Sequence, residues 1–200
     1  MKKTLLSILR DKNTSRLHFR DAANRLASII GAESALCLQE DTYTIETPLG
    51  KAQGYRYEDN IILIPILRSG LVLLRGFLEY FPHAKIGMLG MKRDEKTAIA
   101  KLYYKNIPSL QKDDRIFLLD PMIATGGSSC DAIRILKKEK IQEKNIHLFG
   151  IIASKEGIKA IKKAYPKVSI RVVDVDAKLN SAKYIVPGLG DFGDRYFGTM

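Results

Sequence analysis

Apolar residues along this chain gather into short runs set between amphipathic stretches. Ile61 to Pro65, Ile86 to Met91, Ile116 to Leu119, Ile146 to Ile152 and Val168 to Val175 are rich in apolar side chains, the pattern of strands covered on both faces of a parallel sheet. Helical spacing fills the intervals. An apolar helix is predicted through about Tyr80, Cys130, Ile133 and Leu136 share one face, and Ser154 can cap a helix carrying Ile158, Ile161 and Tyr165. Residues 14 to 30 carry Phe19, Ala23, Leu26 and Ile30 at alternating spacings of four and three, with Thr14 or Ser15 as N-cap and Gly31 as the stop. From 35 to 57 the chain reads as extended, with Tyr43, Ile45 and Thr47 alternating and Pro48-Leu49-Gly50 as a turn, so a hairpin attached to the main sheet is predicted. Strands alternating with helices predict an α/β fold whose parallel sheet is connected right-handedly. The length suits one domain spanning 1–200 with a full core.

The segment Arg115 to Ser129 reads RIFLLDPMIATGGSS. Asp120 stands where a buried strand should end, and Thr125-Gly126-Gly127-Ser128 leads into a helix. Strand, small-residue loop and helix together aim backbone N–H groups and a positive helix end at one spot, which suits a phosphate. Thr125, Ser128 and Ser129 can add hydroxyl donors. No lysine follows Gly127, so the nucleotide-binding P-loop pattern fails, and the dinucleotide fingerprint is absent. A carboxylate shortly before a phosphate cradle fits a ligand with hydroxyls and a phosphate monoester, such as a ribose 5-phosphate. A turn that needs glycine only for its shape would read the same. A second anion site is suggested at Arg68-Ser69-Gly70, after the strand beginning at Ile61, although an arginine capping a helix and facing water would also place Arg68 there. Near the end, Gly188-Leu189-Gly190-Asp191-Phe192-Gly193-Asp194 packs three glycines around two carboxylates, so that backbone groups can approach a small planar ligand.

The stretch DPMIATGGS resembles the 5-phosphoribosyl-1-diphosphate (PRPP) motif of the phosphoribosyltransferases, in the form of the uracil branch, where Pro121 follows the first acid. PILRSG is similar to that family's pyrophosphate loop, with Ser69 in place of alanine. MKRDEKT is similar to its M-Y-R-N-E-E-T, with Lys92 in place of tyrosine, and YIVPGLGDFGD to its C-terminal Y-I-I-P-G-L-G-D-A-G-D. The resemblance implies a phosphoribosyltransferase fold with a small β-hairpin appendage at about 35–57, a mobile loop at about 92–106 closing over substrate, and a C-terminal base-binding segment at about 180–200. It implies transfer of the phosphoribosyl group of PRPP to N1 of uracil, giving UMP and pyrophosphate. PRPP would be held by Arg68, Arg93, Asp120, Pro121, Met122, Ile123, Ala124, Thr125, Gly126, Gly127, Ser128 and Asp191. Uracil would meet Ile185, Gly190, Asp191 and Phe192. Mg²⁺ would arrive on PRPP rather than in a protein cage. No general base is assigned; Asp191 is the one candidate. Two departures bear on base choice. Phe192 stands where the family carries alanine, so its ring can shrink the pocket, cover it or turn outward. D-x-G-L-N-E-H-G is here Asp176-Ala177-Lys178-Leu179-Asn180-Ser181-Ala182-Lys183. The alternatives are therefore another acceptor base, or a PRPP- or UMP-sensing RNA-binding regulator on the same fold.

Composition adds limits. The net charge of +11 is spread as lysines with no run of five, which reads as a solvated surface before it reads as a nucleic-acid face, and it would attract an anionic substrate. The apolar runs are far too short to span a bilayer, and Met1-Lys2-Lys3 opens no signal-peptide pattern. Cys37 and Cys130 make neither a disulfide framework nor a metal site, so a cytoplasmic protein is expected. Cys130 falls in a first helical turn, where a thiol can be acidified, but a small packing residue is the simpler reading. Family resemblance implies at least a homodimer.

Overall fold

A computed structural model of the protein describes residues 1–57, 60–93 and 100–199, with the side chains of 92, 93 and 100 outside the description. In chain order its helices are α1 (Lys2–Arg10), α2 (Arg16–Ser34), α3 (Gly70–Leu78), α4 (Gly127–Lys138), α5 (Lys155–Ala164) and α6 (Phe192–Phe197). Its strands are β1 (Glu40–Thr47), β2 (Gly50–Tyr57), β3 (Ile61–Leu67), β4 (Lys85–Ile86), β5 (Met88–Arg93), β6 (Ala100–Asn106), β7 (Arg115–Leu119), β8 (Met122–Ile123), β9 (Ile146–Ser154), β10 (Ser169–Asp176), β11 (Lys178–Leu179) and β12 (Ile185–Val186).

The central sheet runs β10-β9-β7-β3-β5-β6, parallel except for the antiparallel edge strand β6. Side-chain alternation splits its core in two. Ile61, Leu63, Phe117, Leu119 and Phe149 pack with α1, α2, α3 and Phe192 on one face. Ile62, Ile64, Ile116, Leu118 and Leu148 pack with Ala132, Ile133 and Leu136 of α4 and Ile161 of α5 on the other. From β3 the chain winds outward through α3 to β5, then returns to β7 and winds the opposite way through α4 and α5. The winding reverses between β3 and β7, and such a switch point opens a crevice at the carboxyl ends of the strands. The loops that follow Leu67 and Leu119 meet there.

Three sequence expectations need correction, and one helix lies outside them. The chain starts with a helix, α1, that is not among the predicted elements; Leu5, Leu6 and Leu9 form its buried face. Helix α2 does not stop at Gly31 but runs to Ser34. That glycine serves a helix crossing: a Cβ on Gly31 would lie 2.5 Å from the Gly76 carbonyl oxygen in α3, and one on Gly76 would lie 2.2 Å from the Ala27 carbonyl carbon. The hairpin β1–β2 forms its own two-stranded sheet and does not pair with the central one. Of the excursion expected over 92–106, residues Ala100–Asn106 are the strand β6, in register with β5. Residues 94–99 of that expectation lie outside the described residues.

Candidate active site

Asp120 leaves the end of β7 at the carboxyl edge of the sheet, and its amide donates to the Phe149 carbonyl of β9 (3.0 Å). Its Oδ1 accepts from the Met122 amide and its Oδ2 from the Ser129 hydroxyl, both at 3.3 Å. Protein atoms crowd the carboxylate although part of the residue still borders the cleft. This burial pushes its pKa from 3.8 up to about 6, against the pull of those two donors. The Ser129 hydroxyl, read above as a phosphate donor, is thus already committed to Asp120.

After Asp120 the chain steps across to β9: β8 pairs with it, Met122 opposite Ile152 and Ile123 opposite Ala153. Ala124 is then fixed from below, its carbonyl accepting from the buried Ser154 hydroxyl (2.5 Å). The Ser154 hydroxyl oxygen in turn accepts from the Gly157 amide (2.8 Å) and so caps α5. Gly126 takes the left-handed conformation, φ +79°, and a Cβ there would sit 2.8 Å from the Gly157 carbonyl oxygen, so only glycine makes this turn without strain. Helix α4 begins at Gly127, and its first backbone bond runs from the Cys130 amide to the Gly126 carbonyl (2.8 Å). The amides of Ser128 and Ser129 therefore lack intrahelical acceptors, and that of Gly127 meets only the Thr125 hydroxyl at 3.4 Å. Free amides so placed at a helix N-terminus suit an anion.

The opposite wall is the C-terminal segment. Ile185 and Val186 form β12 against β11, and Gly188 and Gly190 adopt φ of +61° and +79°. Asp191 caps α6, its Oδ1 accepting from the Asp194 amide (2.9 Å). The ring of Phe192 neither fills nor covers the cleft. It is 1% exposed, 5.4 Å from the Phe19 ring and stacked 6.0 Å from Tyr196, so it is a core residue whose backbone joins the cleft wall.

One cleft therefore collects Asp120, Met122 to Ser128, Ile185, Gly190, Asp191 and Phe192 from positions far apart in sequence. Two of the other expected residues stand elsewhere, and the side chain of a third lies outside the description. Pro121 is buried, its carbonyl accepting from the Ile151 and Ile152 amides. The Arg68 guanidinium lies 5.4 Å over the Phe197 ring and donates to the Thr199 hydroxyl at 3.5 Å. Arg93 ends β5, and its side chain lies outside the described residues. The cleft also includes Ser69, Ser129, Lys183, Tyr184 and Gly193. Of these, Lys183 takes a left-handed φ of +65°; its sequence signal is the lysine ending the segment that departs from D-x-G-L-N-E-H-G. Ser69 joins the loop after β3 to the C-terminal segment, for a Cβ on Gly193 would lie 3.0 Å from its hydroxyl. Cys130 is half-buried, and burial together with Asp131 raises its thiol pKa, which supports packing rather than reactivity.

The model of the uracil phosphoribosyltransferase family matches residues 1–199. The chain belongs to that family. Similar relatives include the uracil phosphoribosyltransferase of Malacoplasma penetrans, 43% identical over 98% of this chain and 95% of the relative. That of Finegoldia magna is 44% identical over 97% and 92%. Among solved structures, the AQ2163 protein from Aquifex aeolicus superposes with a TM-score of 0.90 at 34% identity, covering 98% of this chain and 93% of that one. A purine phosphoribosyltransferase from Pyrococcus horikoshii shares the fold, with a TM-score of 0.50 at 16% identity over 78% and 84%.

Proposed function

We infer that this protein transfers the 5-phosphoribosyl group of PRPP to N1 of uracil, giving UMP and pyrophosphate. The observation that carries this reading is the joining, in one cleft, of the phosphate cradle with the glycine-rich C-terminal segment. In the proposed complex the amides of Thr125 to Ser128 hold the 5-phosphate. Asp120, ionised above pH 6, accepts the ribose hydroxyls. Ile185 and the backbone of Gly190, Asp191 and Phe192 face the base.

The reaction breaks the bond from the anomeric carbon to the diphosphate oxygen and forms the bond to N1, whose proton leaves. Positive charge grows on the sugar and negative charge on the leaving group, so fixed cations around the latter are the main catalytic resource. Arg68 and Arg93 take that role in this proposal; Arg68 reaches the cleft by rotating off the Phe197 ring. With Asp191 Oδ1 already capping α6, the proton acceptor is left to solvent or to the remaining oxygen of that carboxylate.

Asp120 and Asp191 offer the cleft hard oxygen ligands, which fits Mg²⁺, an ion held by one or two carboxylates plus substrate phosphates and water. When bound with PRPP it supplies charge neutralisation of the diphosphate. No helix of the described residues is long and apolar enough to cross a membrane, and we place the enzyme in the cytoplasm as a homodimer or larger homo-oligomer. The test is pyrophosphate release from PRPP and Mg²⁺ with uracil, cytosine, orotate, hypoxanthine and xanthine in turn. Turnover with uracil alone is expected; turnover with a different base would overturn the acceptor and keep the fold.

A further inference from the structure

The base segment is held from behind by the N-terminal helix. Arg10, the last residue of α1, forms a two-pronged pair with Asp176 at the end of β10: Nη1 to Oδ2 and Nη2 to Oδ1, both 2.8 Å. The same pair takes both main-chain groups of Gly188. Arg10 Nη1 donates to its carbonyl (2.9 Å), and Asp176 Oδ2 accepts from its amide (2.8 Å). Asp176 is 7% exposed and Arg10 22%, so these bonds are shielded from water. Gly188 is a position with little tolerance. Its φ is +61°, and a Cβ would fall 2.1 Å from the Ile185 carbonyl oxygen. It lies between Ile185 and Gly190, the residues assigned above to the base. The next carbonyl, that of Leu189, accepts from Arg195 (2.8 Å), which also donates to the carbonyls of Leu9 and Asp11 around the end of α1. Two consecutive carbonyls of the loop are thus committed to arginines anchored at α1.

We propose that Arg10 and Asp176 are positioning residues for base recognition: by fixing both backbone groups of Gly188 they set where Ile185 and Gly190 to Phe192 stand. Neither side chain lines the cleft, so they act through the loop. Bidentate arginine–carboxylate pairs fix geometry as well as energy, and lysine cannot reproduce the fork. The proposal rests on the reading of the cleft as the PRPP–uracil site.

The test uses the full chain with Arg10→Lys, Asp176→Asn and the double variant. Steady-state KM for uracil and the Kd of PRPP, titrated without base, are measured together. The expected result is a uracil KM raised at least tenfold, a PRPP Kd within twofold of wild type, and a double variant no worse than the poorer single one. Hydrogen exchange of Arg10→Lys provides a second readout: amides of 188–192 should exchange faster while those of 125–129 keep their wild-type rates. Equal loss of PRPP and uracil binding, or uniformly faster exchange over both segments, would overturn the proposal by showing a general structural role. Wild-type-like uracil KM in both single variants would overturn it too. Wild-type protein that binds PRPP yet turns over no uracil would instead strike down the functional reading, and the proposal with it.

Discussion

Asp120→Asn should make the protein more stable and unable to work. The carboxylate is held in a site that raises its pKa from 3.8 to about 6. Between those values the folded state binds more protons than the unfolded chain, so stability falls as pH rises through this window and the full penalty is present at pH 7.5. Two pKa units at 1.36 kcal/mol each make that penalty about 3 kcal/mol. Asparagine has no charge to desolvate, accepts from the Met122 amide through its oxygen and can donate to the Ser129 hydroxyl oxygen. The variant should therefore gain about 2–3 kcal/mol, roughly 4–12 °C in Tm for a chain of this size. At pH 4.5 the wild-type carboxyl is protonated in the fold, and the gap should shrink to about 1 kcal/mol. Thermal melts of both proteins at the two pH values measure it. PRPP should raise the wild-type Tm at pH 7.5, by about 2.7 kcal/mol of stabilisation at a hundred times its Kd, and raise that of the variant, which binds it more weakly, much less. A variant that melts at or below wild type at pH 7.5, or a gap that does not change with pH, would refute the reasoning.

Three further outcomes are expected. PRPP affinity should weaken as pH falls below about 6, because Asp120 must be ionised to accept ribose hydroxyls; the substrate phosphate titrates nearby, so the part due to the protein is the difference from Asp120→Asn in calorimetric titrations. Ser154→Ala removes the α5 cap and leaves the Ala124 carbonyl without its donor; a loss of about 2–3 kcal/mol in urea unfolding and a weaker PRPP Kd should follow, whereas an unchanged Kd would detach the cap from the cradle. Phe192→Ala empties the space between Phe19 and Tyr196 and should cost about 3–5 kcal/mol in denaturant unfolding, with uracil KM within about threefold; a tenfold shift in KM would mean that the ring gates the base after all.

The strand–loop–helix turn was legible because its parts are contiguous: a buried strand, a carboxylate, two glycines and a helix start all fall between Arg115 and Ser129. The alternation of strands and helices gave the sheet in the same way. What escaped were features set by contacts between distant segments. Gly31 looks like a helix stop locally, and only the crossing of α3 reveals why it is a glycine. The Phe192 ring has three directions open to it in sequence; Phe19 and Tyr196 select the inward one. Arg68 reads as a cleft cation but rests on Phe197, which no local pattern couples to it. The pairing of Arg10 with Asp176 joins residues 166 positions apart, and nothing in either neighbourhood announces it. Helix α1 shows in sequence only as Leu5, Leu6 and Leu9, a run too short and too flanked by charges to declare a helix by itself.

The measurement closest to the central claim is a crystal structure of the protein with UMP. The phosphate should sit on the amides of Thr125 to Ser128, the ribose hydroxyls on Asp120, and the uracil ring against Ile185 and the backbone of Gly190 to Phe192. A nucleotide bound outside this cleft, or one whose base lies on the glycine cradle with its phosphate at the C-terminal segment, would contradict the account.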